Sequence, residues 1–167
     1  MKVQLTPTEL RELLAYNPIT GVVRWRVTCG RRAKAGAIAG SKSQADRYWR
    51  IRIKGRLYLL HRVIYALMKG VWPDDLVDHR DTNADNNRWL NLRPATNSQN
   101  GANRSATTKN QLGTKGVFYS HRHGMYVAKI RVNGKGRTLG YRPTVVEAKA
   151  LYDKAAVEAF GPYFRAS

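Results

Sequence analysis

Hydrophobic positions along this chain come in short runs whose spacing switches between about 3.6 and two, and each switch marks a change of predicted element. Leu10, Leu13 and Leu14 line one face of a short helix. Thr6-Pro7-Thr8-Glu9 opens it, with Thr6 as cap, Pro7 at the first helical position and Glu9 reaching back to the cap. Tyr16 to Gly21 stops it, because Pro18 drives Asn17 out of the helical region and Gly21 is free to take positive φ. Val22 to Val27 alternates, with Val23, Trp25 and Val27 on one face and Arg24 and Arg26 on the other. Tyr48 to Lys54 repeats the pattern, Trp49, Ile51 and Ile53 against Arg50, Arg52 and Lys54, before Gly55 turns the chain into Leu57 to Leu60. These segments predict a two- or three-stranded sheet with a row of arginines on its exposed face. His61 to Lys69 returns to helical spacing, with Val63, Ile64, Leu67 and Met68 inward, and Gly70 and Pro73 end it.

A short apolar run then ends in Asp78-His79. Asp81 to Arg88 is dense in Asp and Asn, whose side chains bond their own backbone and favour a turn. With Asn91-Leu92-Arg93 beyond it, the stretch reads as strand, loop, strand. Thr96-Asn97-Ser98-Gln99 has capping-box spacing, which places Asn100 in the first turns of a helix. Gly101 to Gly113 has the composition of a linker. Val117 to Ser120, Tyr126 to Val132 and Arg137 to Tyr141 read as strands, with Asn133-Gly134 a hairpin turn. Tyr126, Ala128, Ile130 and Val132 share one face of the middle strand, and Val127, Lys129 and Arg131 the other. A helix follows from the box Thr144 to Glu147, with Ala148, Leu151, Tyr152, Ala155, Ala159 and Phe160 in one stripe, and Gly161-Pro162 ends it. That stripe covers the apolar sheet face and leaves Lys129 and Arg131 outward.

Charge changes what these elements are for. The 167 residues carry 30 Lys and Arg against 11 acids, a net charge of +19 that points to a polyanionic partner. Residues 1–60 contribute +10, 61–112 only +2, and 113–167 +7, so a nearly neutral centre lies between two basic flanks. Such a pattern suits a catalytic unit held to DNA by two arms. Cys29 to Ser43, with Arg31, Arg32, Lys34 and Lys42, is either a solvated loop or one that orders on a DNA backbone. Arg104 and Lys109 are placed to follow a phosphate strand. A single cysteine, Cys29, excludes an internal disulfide and a thiolate zinc knuckle. No apolar stretch approaches membrane length and no signal-peptide pattern opens the chain, so a soluble cytoplasmic protein is expected.

Asp81-x-Asn83-x-Asp85 imitates the start of a calcium loop, but no glycine stands at the sixth position and no closing Glu follows. The stretch Val77 to Asn103 instead resembles the HNH nuclease motif, in the Asn-ending form of phage HNH homing endonucleases, with Asp78-His79, Asn91 and Asn100 in the family's order and spacing. The resemblance implies a ββα unit holding one Mg²⁺ or Mn²⁺. It makes Asp78 and Asn100 the metal ligands, His79 the general base, and Asn91 the residue that braces the loop and keeps the histidine oriented. Those residue types fit phosphodiester hydrolysis: imidazole titrates near neutrality, and carboxylate and amide oxygens are hard ligands. A His-Arg pair opening the preceding helix is also similar to these proteins, and gives His61 a structural role near the site.

The C-terminal pattern resembles the Apetala-type DNA-binding domain, on Gly116-Val117, the Tyr126 to Arg131 strand, Leu139-Gly140-Tyr141 and Thr144 to Ala156. The resemblance implies a sheet face in the major groove, with Phe118, Ser120, Arg122, Lys129, Arg131 and Arg137 facing DNA. The plant domain favours arginines where Phe118 and Ser120 stand and glutamate where Lys129 stands, so the docking mode carries over and sequence preference does not.

The expectation is an α+β chain: a basic sheet unit (1–60), a nuclease unit (61–104), a linker (105–112) and a three-stranded antiparallel sheet packed on one helix (113–167). It is expected to nick or cleave double-stranded DNA as a monomer or weak dimer, without a membrane or small-molecule cofactor. Arg50, Arg52 and Arg104 add backbone contacts. The alternative is a DNA-binding regulator or phage DNA-processing partner whose nuclease site is vestigial.

Overall fold

The computed structural model describes residues 4–42, 47–105, 110 and 112–166. They form two compact units, bounded by residues 1–94 and 95–167, of mixed helix and small sheets. Ser43 and Lys109 lie outside the described residues, as does most of the 105–112 stretch.

In the first unit, α1 (Pro7–Leu13) starts as its capping box dictates: the Thr6 N–H donates to Glu9 Oε2 at 2.8 Å, and the Glu9 N–H to Thr6 Oγ1 at 3.2 Å. Leu14, expected on this helix, instead begins β1 (Leu14–Tyr16), which pairs antiparallel with β2 (Val23–Trp25), Leu14 opposite Trp25. Its side chain is buried under either period, so burial alone did not choose between them. Strand β2 is shorter than expected, and Val27 is exposed beyond its end.

The loop after β2 is held by backbone bonds that no side-chain pattern announces. The Ala39 N–H donates to Val23 O and the Trp25 N–H to Ala37 O, at 2.8 and 3.0 Å. Ser41 and Arg50 exchange two more backbone bonds, stitching this loop to the antiparallel pair β3 (Arg50–Ile53) and β4 (Arg56–Leu59). Arg24, Arg50 and Arg52 are exposed while Val23, Ile51 and Ile53 are buried, but the single sheet expected here is two separate two-stranded sheets, β1–β2 and β3–β4, so the arginines do not form one row.

Helix α2 (Leu60–Lys69) ends at Gly70, whose φ of 75° is the left-handed cap expected there. Met68, expected inward, is exposed; Leu60, His61 and Ala66 join Val63, Ile64 and Leu67 in the buried set. One apolar core runs from Leu10, Leu14 and Val23 through Ile51 and Ile64 to Val77 and Leu92. Strand β5 (Leu76–His79) pairs with β6 (Leu92–Ala95), so the second half of this unit is the strand, loop, strand that its sequence spells.

The second unit opens with α3 (Asn97–Asn103), whose capping box is complete between Thr96 and Gln99. Strands β7 (Val117–Ser120), β8 (Met125–Val132) and β9 (Lys135–Arg142) form an antiparallel sheet in chain order, and α4 (Val145–Phe160) covers it. Val117, Ala128, Ile130, Ala148, Tyr152 and Phe160 make its core, joined by Ala102. Ala159 was expected in the helix stripe but is exposed, and Ala156 is buried in its place. Gly116 is required where it stands: its φ is 67°, and a Cβ would lie 2.2 Å from the Tyr152 ring.

Candidate active site

Asp78 and His79 end β5 with both side chains buried. The loop beyond them is closed by Asn91, whose amide nitrogen donates to Asp81 Oδ1 at 2.9 Å and to Asn86 O at 2.8 Å. Its amide oxygen accepts the Asp81 N–H at 3.1 Å. Inside the loop, the Asn83 N–H donates to Asp81 Oδ1 and the Asp85 N–H to Asn83 Oδ1, the side-chain-to-backbone bonds that make Asp and Asn turn formers. Thr82 sits at φ 64°, a left-handed conformation uncommon for a β-branched residue, held where its N–H meets His79 O.

His79 Nε2 lies 3.2 Å from the amide oxygen of Asn87. That oxygen can only accept, so the tautomer that makes this bond carries its proton on Nε2 and leaves Nδ1 as the basic nitrogen. Asn87 is 5% exposed and His79 4%, so neither partner has water as an easy substitute. Burial pulls the His79 pKa below its ordinary value, while the Asn87 bond and the nearby Asp81 and Asp78 oppose that pull. His61 packs its ring edge-on against His79, centroids 5.1 Å apart, with Tyr48 5.1 Å from His61 and 6.0 Å from His79. Burial first, then the charges of His79 and Arg62, pushes His61 down to about 3, so at neutral pH it is an uncharged wall of the site.

The N-terminal sheet grips the same loop. Tyr16 Oη donates to Asn87 O at 2.8 Å, the Trp89 N–H to Pro18 O at 3.1 Å, and Trp49 Nε1 to Asp85 Oδ1 at 3.0 Å. Lys42 pairs with Asp85 at 2.7 Å, and an Arg47 guanidinium nitrogen donates to Thr82 O at 2.8 Å. Gly21 packs so closely that a Cβ there would lie 2.7 Å from the backbone of Asn87 and Arg88.

Asp78 is bound by Arg93, whose Nε and Nη2 both reach Oδ2 at 3.0 Å, and both side chains are 6% exposed. Among the described residues, no group of three or more His, Cys, Asp or Glu side chains gathers as a metal site. The donor chemistry still fits a hard cation that keeps most of its water, since such an ion needs only one or two carboxylates. Asp78 supplies one. Asn100 is half-buried on α3, in the second unit.

Residues 58–102 match the HNH endonuclease family model. The matched HNH segment begins in β4 and runs through α2, the β5–β6 hairpin and nearly all of α3. An uncharacterized HNH endonuclease of Acanthamoeba polyphaga mimivirus is 38% identical over 106 residues, which are 62% of this chain and 54% of that relative. The chain therefore spans about half the length of the relative it matches. No solved structure matches it.

Outside the HNH segment, the remaining basic candidates are exposed: Arg50 and Arg52 on β3, Arg122 in the β7–β8 turn, and Lys129 and Arg131 on β8. Arg104 follows α3, and Phe118 and Ser120 lie on β7. A bulge between Ala128 and Lys129 shifts the β8–β9 register, so Thr138 stands opposite Lys129 while Arg137 stands opposite the inward Ile130. Arg137 is thus exposed at the sheet edge, on the helix side, away from Lys129 and Arg131.

Proposed function

We propose that this protein is a metal-dependent DNA endonuclease of the HNH family that nicks or cleaves double-stranded DNA. The observation that carries the reading is the buried His79, held 3.2 Å from the Asn87 amide oxygen inside the HNH segment. His79 Nδ1 takes a proton from water, the water oxygen bonds to phosphorus, and the bond from phosphorus to one ester oxygen breaks. Asn91 holds the loop that fixes the histidine's position. Mg²⁺ or Mn²⁺, when bound, neutralises charge on the phosphate and the leaving oxygen. Asp78 and Asn100 are its proposed ligands, Asp78 from its chemistry beside His79, Asn100 from its spacing and the family likeness alone.

Residues 113–167, within the second unit, are proposed as the DNA-binding module, of Apetala type, with Lys129 and Arg131 on the outward face of its sheet, Arg131 best suited to bond guanine bidentately. Arg50 and Arg52 on β3, and Arg104 after α3, are proposed phosphate contacts. In functional terms the modules are 1–60, 61–104 and 113–167, joined by 105–112. The mimivirus relative supports a virus or phage protein acting in a host cytoplasm, with a homing role as the finer reading.

A supercoiled-plasmid assay tests the proposal. The native chain with Mg²⁺ or Mn²⁺ is expected to convert plasmid to open circle, and neither His79→Ala nor the native chain in EDTA should do so. Linear product would point to paired centres. If no duplex is cut under any of these metals while DNA is still retarded in a gel, the endonuclease reading fails and a DNA-binding regulator takes its place.

A further inference from the structure

The outer face of the β7–β9 sheet is divided into an apolar half and a basic half. Alternation along β8 puts Val127, Lys129 and Arg131 opposite in direction to Ala128 and Ile130, which enter the core under α4. Val127 is nevertheless only 4% exposed. Its neighbours in register are Phe118 on β7 and Tyr141 on β9, so two rings flank it in a row across the sheet. Phe118 is 48% exposed, and Met125 extends the apolar half beside Ser120. Beyond the row stand Lys129 and Arg131. From Val117 to Arg142 the chain holds no Asp or Glu; the unit's acids after residue 113, Glu147, Asp153 and Glu158, all lie on α4. The face is thus built for a polyanion that also presents apolar groups.

We propose that the Phe118–Val127–Tyr141 row is a thymine-reading element: it seats the 5-methyl groups of thymines exposed in the major groove, while Lys129 and Arg131 hold the neighbouring phosphates or guanine edges. This rests on the reading of the second unit as a major-groove DNA-binding module. Thymine is the one DNA base with a methyl group on its major-groove edge, and apolar side chains are what recognises it. The ring geometry favours this over stacking on unpaired bases. His123 lies against the Tyr141 ring, centroids 4.4 Å apart, and is tied to Ser120 at 3.0 Å. Val127 is buried between Phe118 and Tyr141 in register. The Tyr141 ring is thus already engaged by a neighbour, and the row offers apolar surface of the kind that meets a methyl group. Arginine at position 118 would put a charge where this chain offers a ring.

The test is fluorescence anisotropy of the full chain in EDTA, at one fixed salt concentration, on labelled duplexes of alternating A·T sequence. A second duplex carries deoxyuridine for every thymidine, which removes only the methyl groups. A G·C duplex is compared with and without 5-methylcytosine, which restores a methyl at the same edge. The thymine duplex is expected to bind on the order of threefold tighter than the uracil duplex for each methyl seated, and 5-methylcytosine should raise G·C affinity in the same way. Phe118→Ala and Tyr141→Ala should each narrow the thymine–uracil gap, Phe118→Leu should retain part of it, and Arg131→Ala should weaken both duplexes alike. Equal affinity for thymine and uracil duplexes, or a gap that survives both ring deletions, overturns the proposal. So does tighter binding to the single strand that Phe118→Ala abolishes, which would make the row a stacking platform. If Arg131→Ala and Lys129→Ala change no affinity, the DNA-binding reading of the unit has itself failed.

Discussion

The proposed general base His79 requires its basic nitrogen to face the water, and the Asn87 amide oxygen, 3.2 Å from Nε2, is the group that would select it. Replacing it with leucine removes the acceptor and lets the ring proton move to Nδ1. Asn87→Leu is expected to lower kcat for nicking on the order of 10²-fold, the usual scale of a general base, with KM for DNA little changed. Asn87→Asp, which still accepts from Nε2–H, should recover most of the rate. Equal loss in both variants would reduce Asn87 to packing. Arg93 answers to a different accounting. Arg93→Met takes the guanidinium away from the buried Asp78 carboxylate, and breaking such a pair costs about 3–5 kcal/mol, read as a lower urea midpoint; an unchanged midpoint would mean that this pair does not hold the fold. Asp78, His79 and Asn91 stood out in the sequence as candidates through their chemical types and spacing. Asn87 did not, because it stands in a run with Asn83 and Asn86 that looks uniform until the fold buries one amide and exposes another. Arg93 was hidden among bases read as DNA contacts.

Between elements, the turn after β1 and the β5–β6 loop are packed to backbone contact at Gly21. Alanine there meets two penalties: φ of 78°, and a Cβ 2.7 Å from the Asn87 and Arg88 backbone. Gly36 provides the comparison, with φ of 81° and nothing within 4 Å of its Cβ position. Gly36→Ala should cost only the backbone strain, about 1 kcal/mol, while Gly21→Ala should cost more, toward 3 kcal/mol, and slow nicking by displacing Asn87. Equal urea midpoints and equal rates for the two variants would show that the turn does not position the loop. The capping boxes at Thr6 and Thr96, the Gly70 stop and the hairpin were readable in advance because each is written in two to four adjacent residues, while at Thr144 only the Thr144-to-Glu147 N–H half of the box forms. Strand β1 was not readable, since Leu14 satisfies both periods. Nor was the docking of residues 36–41, which uses backbone bonds from a segment of Gly, Ala and Ser. The register shift that carries Arg137 to the helix side was equally invisible, because one extra residue in β9 changes faces without changing composition.

At the scale of the molecule, the same burial that keeps the site's histidines neutral makes the fold acid-sensitive. His61 titrates near 6.5 in an unfolded chain and is pushed down to about 3 when folded; His79 is lowered as well. Between those values the unfolded state binds a proton that the folded state refuses. The folded state therefore keeps its full stability above pH 6.5 and loses it progressively as the pH falls toward 3, at up to about 1.4 kcal/mol per pH unit for each such group. Asp81, whose pKa is lowered even though burial opposes it, because Asn86, Asn91 and the Asn83 N–H bond its carboxylate, adds a further loss only below about 3.8. Urea melts from pH 8 to 4 should show a plateau, then a decline that begins near 6.5, well above the carboxylate range. His61→Gln stays neutral throughout and should flatten part of that slope, leaving the share that belongs to His79. Carbon-13 labelling of the imidazoles supplies an independent reading in the native chain: His61 should show no protonation at pH 5 while folded. A His61 resonance that titrates near 6.5, or a stability curve flat down to pH 4, would mean that the ring reaches water and that His61 is not the closed wall of the site.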